Sequence, residues 1–322
     1  MLDNQFDTFK ACTTREGEVG PWIVDGDIPV FTEEELRRFY QVVVGGRLRN
    51  LAGLSENDDG QGSTAGDLYA GGLAAPVADL VIHRDNGLDA RWAEARQCGL
   101  TYCVSTAFGS NHGQVVADMA GAGADWAATS GVRFRHVSAE DAQCSPNSPV
   151  DFDVRPISGQ RYLARAFFPN EPRPNRNVMI NNSAFNLTGV WTLRGILRHE
   201  LGHALGFRHE HTRPEAGTCF EDNSWRPLTP YDSASVMHYP QCNGAQTGDL
   251  VLTVRDGQGA QTVYGVTTRC DPTPAPACDA KCQCSKECIR LRDACMEDSR
   301  LPGGPRPGFC AQLLRWCQGR CR

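Results

Sequence analysis

The stretch that most restricts how this chain can fold is His199-Glu200-Leu201-Gly202-His203-Ala204-Leu205-Gly206-Phe207-Arg208-His209-Glu210. On a helix, residues four apart share a face, one turn above the other, so His199 and His203 can aim at one point. Gly206 has no Cβ and takes a positive φ without a clash, which makes it the natural residue to end that helix. The chain must then turn sharply enough to bring His209 to the same point. Three imidazoles meeting there form a metal site. Three protein ligands leave a fourth position open, the pattern of a catalytic rather than a closed structural zinc. Zn2+ would lower the pKa of a water in that position towards about 7. Glu200 would take its proton as general base and return it to a leaving amine. A bare His-Glu-x-x-His recurs by chance, but the extension to Gly206 and His209 makes coincidence a poor explanation.

A second stretch, Ser235-Val236-Met237-His238-Tyr239-Pro240, follows downstream. Together the two resemble the metzincin clan, and within it the astacin family. Glu210 directly after the third histidine and the S-x-M-H-Y form of the turn carry the closer match. His209-Glu210-His211-Thr212-Arg213-Pro214 and Tyr231-Asp232 fit as well. The resemblance is close from Leu197 to Tyr264 and only architectural from Leu100 to Asn182. It implies an α+β fold of metzincin type: a twisted, mostly parallel sheet, a zinc-binding helix and a Met-turn. It also implies cleavage of internal peptide bonds in protein or peptide substrates. Met237 would pack beneath the metal without binding it. Tyr239 would be a fifth ligand that swings away to stabilise the tetrahedral oxyanion, in keeping with a phenol's capacity to donate to developing charge. A packed turn tyrosine, needing only a hydrogen-bond partner, is the alternative. Glu210 would make a structural contact, and His238 would not be a ligand.

Composition divides the 322 residues into three regions. Residues 1–80 hold an extended Trp22-Ile23-Val24, a helix from Glu33 to Val44 capped by Thr32, and a Gly- and Asp-rich connector, Ser55–Ala75. Connectors of that kind are preferred sites of proteolytic nicking. Residues 81–268 read as mixed α/β. Strands are expected at Leu100–Val104, Val132–Val137, Arg161–Phe168 and Val178–Ile180. One helix is expected from Val115 to Thr129, with Val116, Met119, Ala120, Ala124 and Ala127 near helical spacing. Another is expected from Leu193 to Leu205. The segment Tyr162–Phe168 suits the upper rim of a cleft, where an edge strand pairs with an extended substrate. An ordinary interior strand is the competing reading. Residues 269–322 form a cysteine-rich tail after a Pro-rich spacer.

Val24-Asp25-Gly26-Asp27 resembles the F-x-G-D prosegment motif of astacins, with Val24 in place of Phe. The resemblance implies a zymogen in which Asp27 binds the zinc and displaces the catalytic water. A simple Gly-Asp turn is the bland reading. Its place far upstream of the histidines, before the connector, favours the prosegment. Cys12 is the rival latency ligand, since a thiolate also binds zinc. It is alternatively a lipidation site, though in poor flanking context. Arg165 and Arg213 are candidates for favouring acidic substrate side chains, unless both are ordinary ion-pair formers.

Nine of the fifteen cysteines lie between Cys270 and Cys321, a density that suits disulfides formed outside the reducing cytosol. The expected localisation is secreted, with no signal peptide in this chain. Cys284, Cys288 and Cys295 mirror Cys310, Cys317 and Cys321 in spacing, so a helical hairpin pairing 284–321, 288–317 and 295–310 is expected. A second zinc site in the tail is the alternative, weakened by the absence of C-x-x-C pairs. The tail either recognises a surface, polysaccharide or protein, or only adds stability. Cys219–Cys242 and Cys103–Cys144 are further expected bridges. The net charge of −6 is spread without a basic stripe, which argues against a nucleic-acid partner. No apolar run is long enough to span a membrane, and a monomer is expected. The competing function is an inactive protease-like binding protein that works through its tail. Retention of both Glu200 and Tyr239 speaks against it. Hydrolysis of non-peptide bonds has no specific support.

Overall fold

Residues 100–104 carry apolar side chains at every second position, and in the computed structural model they form the centre of the larger sheet. The structure describes residues 2–41, 78–219, 221–246 and 248–270. The Gly-rich connector, residues 42–44 of the expected first helix and the tail beyond Cys270 lie outside them. Five strands pair in the order β7-β6-β8-β10-β9. They are β6 (Leu100–Val104), β7 (Phe134–His136), β8 (Phe152–Ile157), β9 (Ala164–Arg165) and β10 (Asn177–Asn181). All pairings are parallel except that of β9 with β10. Mostly parallel sheets are covered on both faces, and β6 shows how. Leu100, Tyr102 and Val104 enter the main core, while Cys103 points the other way and meets Cys144 and Val150. Cys103–Cys144 is a disulfide, as expected.

Two sheet expectations change. β8 was not anticipated, because Asp153 and Pro156 interrupt its apolar pattern. Phe152 and Val154 face the core, while buried Asp153 is matched by Arg173 at 2.7 Å and Arg155 at 2.6 Å. The strand expected over Arg161–Phe168 shrinks to β9, which is the outermost strand of the sheet and not an interior one.

The helices α4 (His112–Thr129) and α5 (Leu193–Ala204) pack on this sheet and on each other. The buried stripe of α4 is Val115, Met119, Ala122 and Trp126. It is rotated from the stripe expected, leaving Ala120 and Ala124 exposed. Trp126 accounts for the rotation, since burying that one ring outweighs two alanines. Its Nε1 donates to Arg198 O at 2.8 Å and its ring stacks on Phe207.

A second, antiparallel sheet joins β11 (Phe207–Arg208), β4 (Ala78–Asp85) and β12 (Trp225–Thr229), with β5 (Leu88–Asp89) paired to β4. A short α3 (Glu94–Gln97) follows β5, and α6 (Val254–Tyr264) packs against β4 and β12. Disulfides also join Cys219 to Cys242, as expected, and Cys98 to Cys270. Among the described residues no helix is long and apolar enough to cross a membrane.

The N-terminal region is more structured than its sequence led one to expect. α1 (Leu2–Cys12), a three-stranded meander of β1 (Thr14–Arg15), β2 (Trp22–Val24) and β3 (Ile28–Val30), and α2 (33–41) surround a small core. Phe6, Trp22, Val24, Ile28, Leu36 and Phe39 build it, joined by Ala90 and Phe168 from the rest of the chain. Thr32 caps α2 as anticipated. Its Oγ1 accepts from Glu35 N at 3.2 Å while Glu35 Oε2 accepts from Thr32 N at 3.1 Å, a capping box. Met1–Cys270 form one compact unit.

Trp126→Ala would empty the α4–α5 interface, and the expected cost is about 3–5 kcal/mol. Trp126→Phe would cost less. Urea midpoints at unchanged slope check both values.

Candidate metal centre

Helix α5 begins at Thr192, whose Oγ1 accepts from Gly195 N at 2.9 Å. It ends where its last carbonyls find side-chain donors. Trp92 Nε1 donates to Ala204 O at 2.7 Å and the Tyr264 hydroxyl donates to Leu205 O at 2.6 Å. Gly206 follows with φ +96°, and a Cβ there would lie 1.9 Å from Ala90 O. Its carbonyl accepts from His83 N at 2.8 Å, so the chain leaves the helix directly into pairing with β4. Two residues of β11 later comes His209. The turn legible in the sequence is thus enforced by a strand and two aromatic caps distant in the chain.

Each histidine is held from behind. His199 Nδ1 donates to Val236 O and His203 Nδ1 to Phe207 O, both at 2.7 Å. Carbonyls only accept, so both rings carry their proton on Nδ1 and turn a bare Nε2 forward. His209 Nδ1 faces two carboxylates, Glu221 at 2.5 Å and Asp25 at 3.0 Å. The three Nε2 atoms converge, that of His209 lying 3.2 Å from both others. Tetrahedral zinc with bonds of about 2.0–2.1 Å sets its nitrogen ligands about 3.3 Å apart. Three imidazole nitrogens converging in one buried place with a carboxylate beside them make a donor set that fits the ion the sequence called for.

The fourth side is filled. Asp27, in the turn between β2 and β3, sets Oδ1 3.1 Å from His209 Nε2 and Oδ2 3.3 Å from His199 Nε2. Asp25 and Gly26 both take positive φ there, and a Cβ on Gly26 would come within 3.0 Å of the Tyr239 hydroxyl. Asp27, His199, His203 and His209 form one buried group able to hold a metal. Cys12 is exposed at the end of α1 and takes no part in it.

Glu200 is buried, and its Oε2 has no hydrogen-bond partner. Burial first, and the Asp27 carboxylate second, push its pKa well above the usual carboxylate range. Burial brings His203 down to about 4, keeping it neutral. Tyr239 stacks on His199 and lies over His209, with ring centroids 5.5 and 4.4 Å away. Burial, reinforced by Asp27, raises its pKa and keeps it protonated. Beside Glu200 and His199 opens a cavity of about 220 Å³, walled by Trp191, Ile196 and Leu250.

The turn at residues 235–240 lies under α5. Met237 is fully buried, and a Cβ on Gly202 would meet its Sδ at 2.3 Å. Asp256, in the capping box of α6, ties this turn down by accepting from Ser235 Oγ at 2.6 Å and Val236 N at 2.9 Å. Glu210 bonds inward to Asp232 N and Arg213, and its own N–H donates to Met237 O. His238 pairs with the Tyr231 hydroxyl at 2.8 Å, away from the cluster. Arg213 is occupied by Glu210 and by Thr229 O, and it does not line the cavity. Asp25, Glu221 and Asp256 were missed by sequence reasoning. None lies at a spacing that links it to the histidines.

A family model described as "Dual-action HEIGH metallo-peptidase" matches residues 102–221. Tolloid-like protein 1 of Homo sapiens is 35% identical over 97 residues, covering 23% of this chain and 10% of that protein. Zinc metalloproteinase nas-30 of Caenorhabditis elegans is 42% identical over 65 residues, 14% of this chain and 9% of the relative. Astacin-like metalloendopeptidase of Coturnix japonica is 39% identical over 83 residues, 20% of each. This chain therefore spans a fifth or less of the length of these relatives. Its resemblance is to the astacin-like zinc metallopeptidases.

In this astacin-like chain the HEIGH of the family description reads His199-Glu200-Leu201-Gly202-His203. The match ends at Glu221, the carboxylate behind His209. Partners behind a metal-binding histidine fix its tautomer and orientation, and losing one weakens metal affinity about 10–100-fold. Glu221→Gln is expected to weaken zinc binding by that factor, read by competition with a chromophoric chelator.

Proposed function

We propose that the chain is a secreted zinc endopeptidase in its latent form, with His199, His203 and His209 holding the metal and Asp27 closing the fourth position. The observation that carries this reading is the convergence of three imidazole nitrogens beside Glu200, whose Oε2 has no hydrogen-bond partner, at the edge of a cavity. The ion, when bound, supplies Lewis acidity to a water and to a carbonyl oxygen. Glu200 accepts the proton of the attacking water at its free Oε2 and delivers it to the departing amine. Tyr239, kept protonated by its surroundings, donates from its hydroxyl to the developing oxyanion. In the latent arrangement that hydroxyl is engaged by Asp27. The turn around Met237 acts as a Met-turn, fixing the floor under α5. β9, outermost in its sheet, offers its backbone to an extended substrate. Three disulfides among the described residues suit an oxidising compartment. We assign residues 1–80 as prosegment and connector, 81–268 as catalytic domain, and 269–322 as a tail that binds a surface, polysaccharide or protein.

The test is casein cleavage by the full chain before and after limited proteolysis within residues 55–75. Activity is expected to rise on nicking and to vanish with a chelator. Glu200→Ala is expected to lower it by about 10²–10⁴-fold, and full activity in that variant would end the mechanism. Asp27→Ala is expected to make the intact chain active; a variant as silent as its parent would end the latency assignment.

A further inference from the structure

His211 is an imidazole with no exposed side-chain surface, and the proposed reaction gives it no task. It lies between a metal ligand and the oxyanion donor. Its ring stacks on that of His209 with centroids 4.7 Å apart, and the ring of Tyr239 is 5.0 Å away. The Tyr239 backbone N–H donates to His211 Nδ1 at 3.3 Å. An amide N–H only donates, so Nδ1 holds the lone pair and the proton sits on Nε2, the reverse of His199 and His203. Nε2 donates to Asp25 at 3.1 Å, with Glu221 3.5 Å away. Asp25, His209, His211 and Glu221 form a second group close enough to hold a metal. The proton on His211 Nε2 makes it a hydrogen-bonded cluster instead.

The other end of the Tyr239 backbone is held as well. Its carbonyl accepts from Cys242 N at 3.0 Å, Gly244 N at 3.2 Å and His238 Nδ1 at 3.1 Å. Cys242 is itself fixed by its disulfide to Cys219. The two peptide groups that flank the tyrosine Cα are thus pinned, the earlier one by His211. To act, the phenol must leave Asp27 and meet an oxyanion, so its ring moves while its pivot stays still. The hydroxyl stands at the far end of the ring, where a small rotation of the backbone displaces it most. A misplacement of about 1 Å can cost on the order of 100-fold in rate. Glu221 stays when the N-terminal segment departs with Asp25, so the Nε2 proton of His211 keeps an acceptor.

We infer that His211 is a positioning residue for Tyr239: it holds the backbone N–H from which the phenol swings, and its own ring is oriented by Asp25 in the latent chain and by Glu221 afterwards. This rests on the peptidase reading and deepens it.

The experiment uses the full chain, nicked within residues 55–75, freed of its N-terminal piece and loaded with zinc. Two variants divide the two ring nitrogens between them. His211→Asn keeps an acceptor where Nδ1 lies and cannot reach the acids. His211→Gln reaches the place of Nε2 and offers the Tyr239 N–H no acceptor. His211→Gln is expected to lower kcat by roughly 10–100-fold with KM little changed, the range for a buried donor left unmet. His211→Asn should recover most of that loss. In a Tyr239→Phe chain His211→Gln should add nothing. Equal losses in the two variants, the reverse order, or a loss that persists beside Tyr239→Phe overturns the assignment. If either variant does not fold, nitrogen NMR of the parent chain decides: a protonated Nδ1 on His211 overturns it, and an unprotonated Nδ1 with a protonated Nε2 upholds it. Binding of a phosphinic peptide, read by calorimetry, needs no turnover and separates the two readings. Weaker binding by His211→Gln than by His211→Asn, in a parent that cleaves nothing, upholds the positioning role and fails the peptidase. Equal binding fails the positioning role even if the chain cleaves.

Discussion

The Nε2 of His209 lies 3.2 Å from those of both His199 and His203, and much of the protein's architecture serves to hold the three rings in that convergence. Each ring is gripped at Nδ1, two by backbone carbonyls and one by carboxylates. The grip does two things. It sets the tautomer of His199 and His203, leaving the Nε2 of each free to act as a metal ligand. It also removes the rotational freedom that would otherwise be lost on metal binding, so the site is organised before the ion arrives.

The grips come from elements far apart in the chain. Val236 O belongs to the turn that Asp256 ties to α6, so α6 positions His199 without touching it. Phe207 O belongs to β11, whose path is set by β4 across the second sheet, so that sheet positions His203. Glu221 lies between Arg208 and His209 and links the charge of the one to the orientation of the other. Trp92 and Tyr264 close the end of α5, which lets the helix stop at Gly206 without leaving buried carbonyls unmet. Loosening any of these elements would act on the metal centre through one named atom.

Much of the centre was legible beforehand because its geometry is local. A four-residue helical spacing, a glycine and a third histidine suffice to predict convergence, and resemblance supplied Asp27 and Tyr239. The stripe of α4 was misplaced by one position because alanines were weighed like the tryptophan beside them. β8 was hidden by Asp153 and Pro156; Asp153 is accommodated in the strand by Arg155, two residues on, and by Arg173, twenty residues on. The second sheet, α6 and the carboxylates Asp25, Glu221 and Asp256 left no periodic trace. Their roles exist only once distant segments pair, and one sequence carries no record of pairing. Arg165 and Arg213 were indistinguishable as sequence. In the structure one answers to its own domain and the other to the N-terminal segment.

That segment presents three acids to three basic places: Asp27 to the metal ligands, Asp25 to His209 and His211, and Glu16 to Arg165. Its apolar contact with the remainder of the described chain is small by comparison, limited in the shared core to Ala90 and Phe168. Buried pairs are poor at adding net stability, since desolvation offsets most of the attraction, but breaking one by removing a single partner is costly. An arrangement of this kind is exacting and weakly held at once. It seats only a segment with all three acids in register.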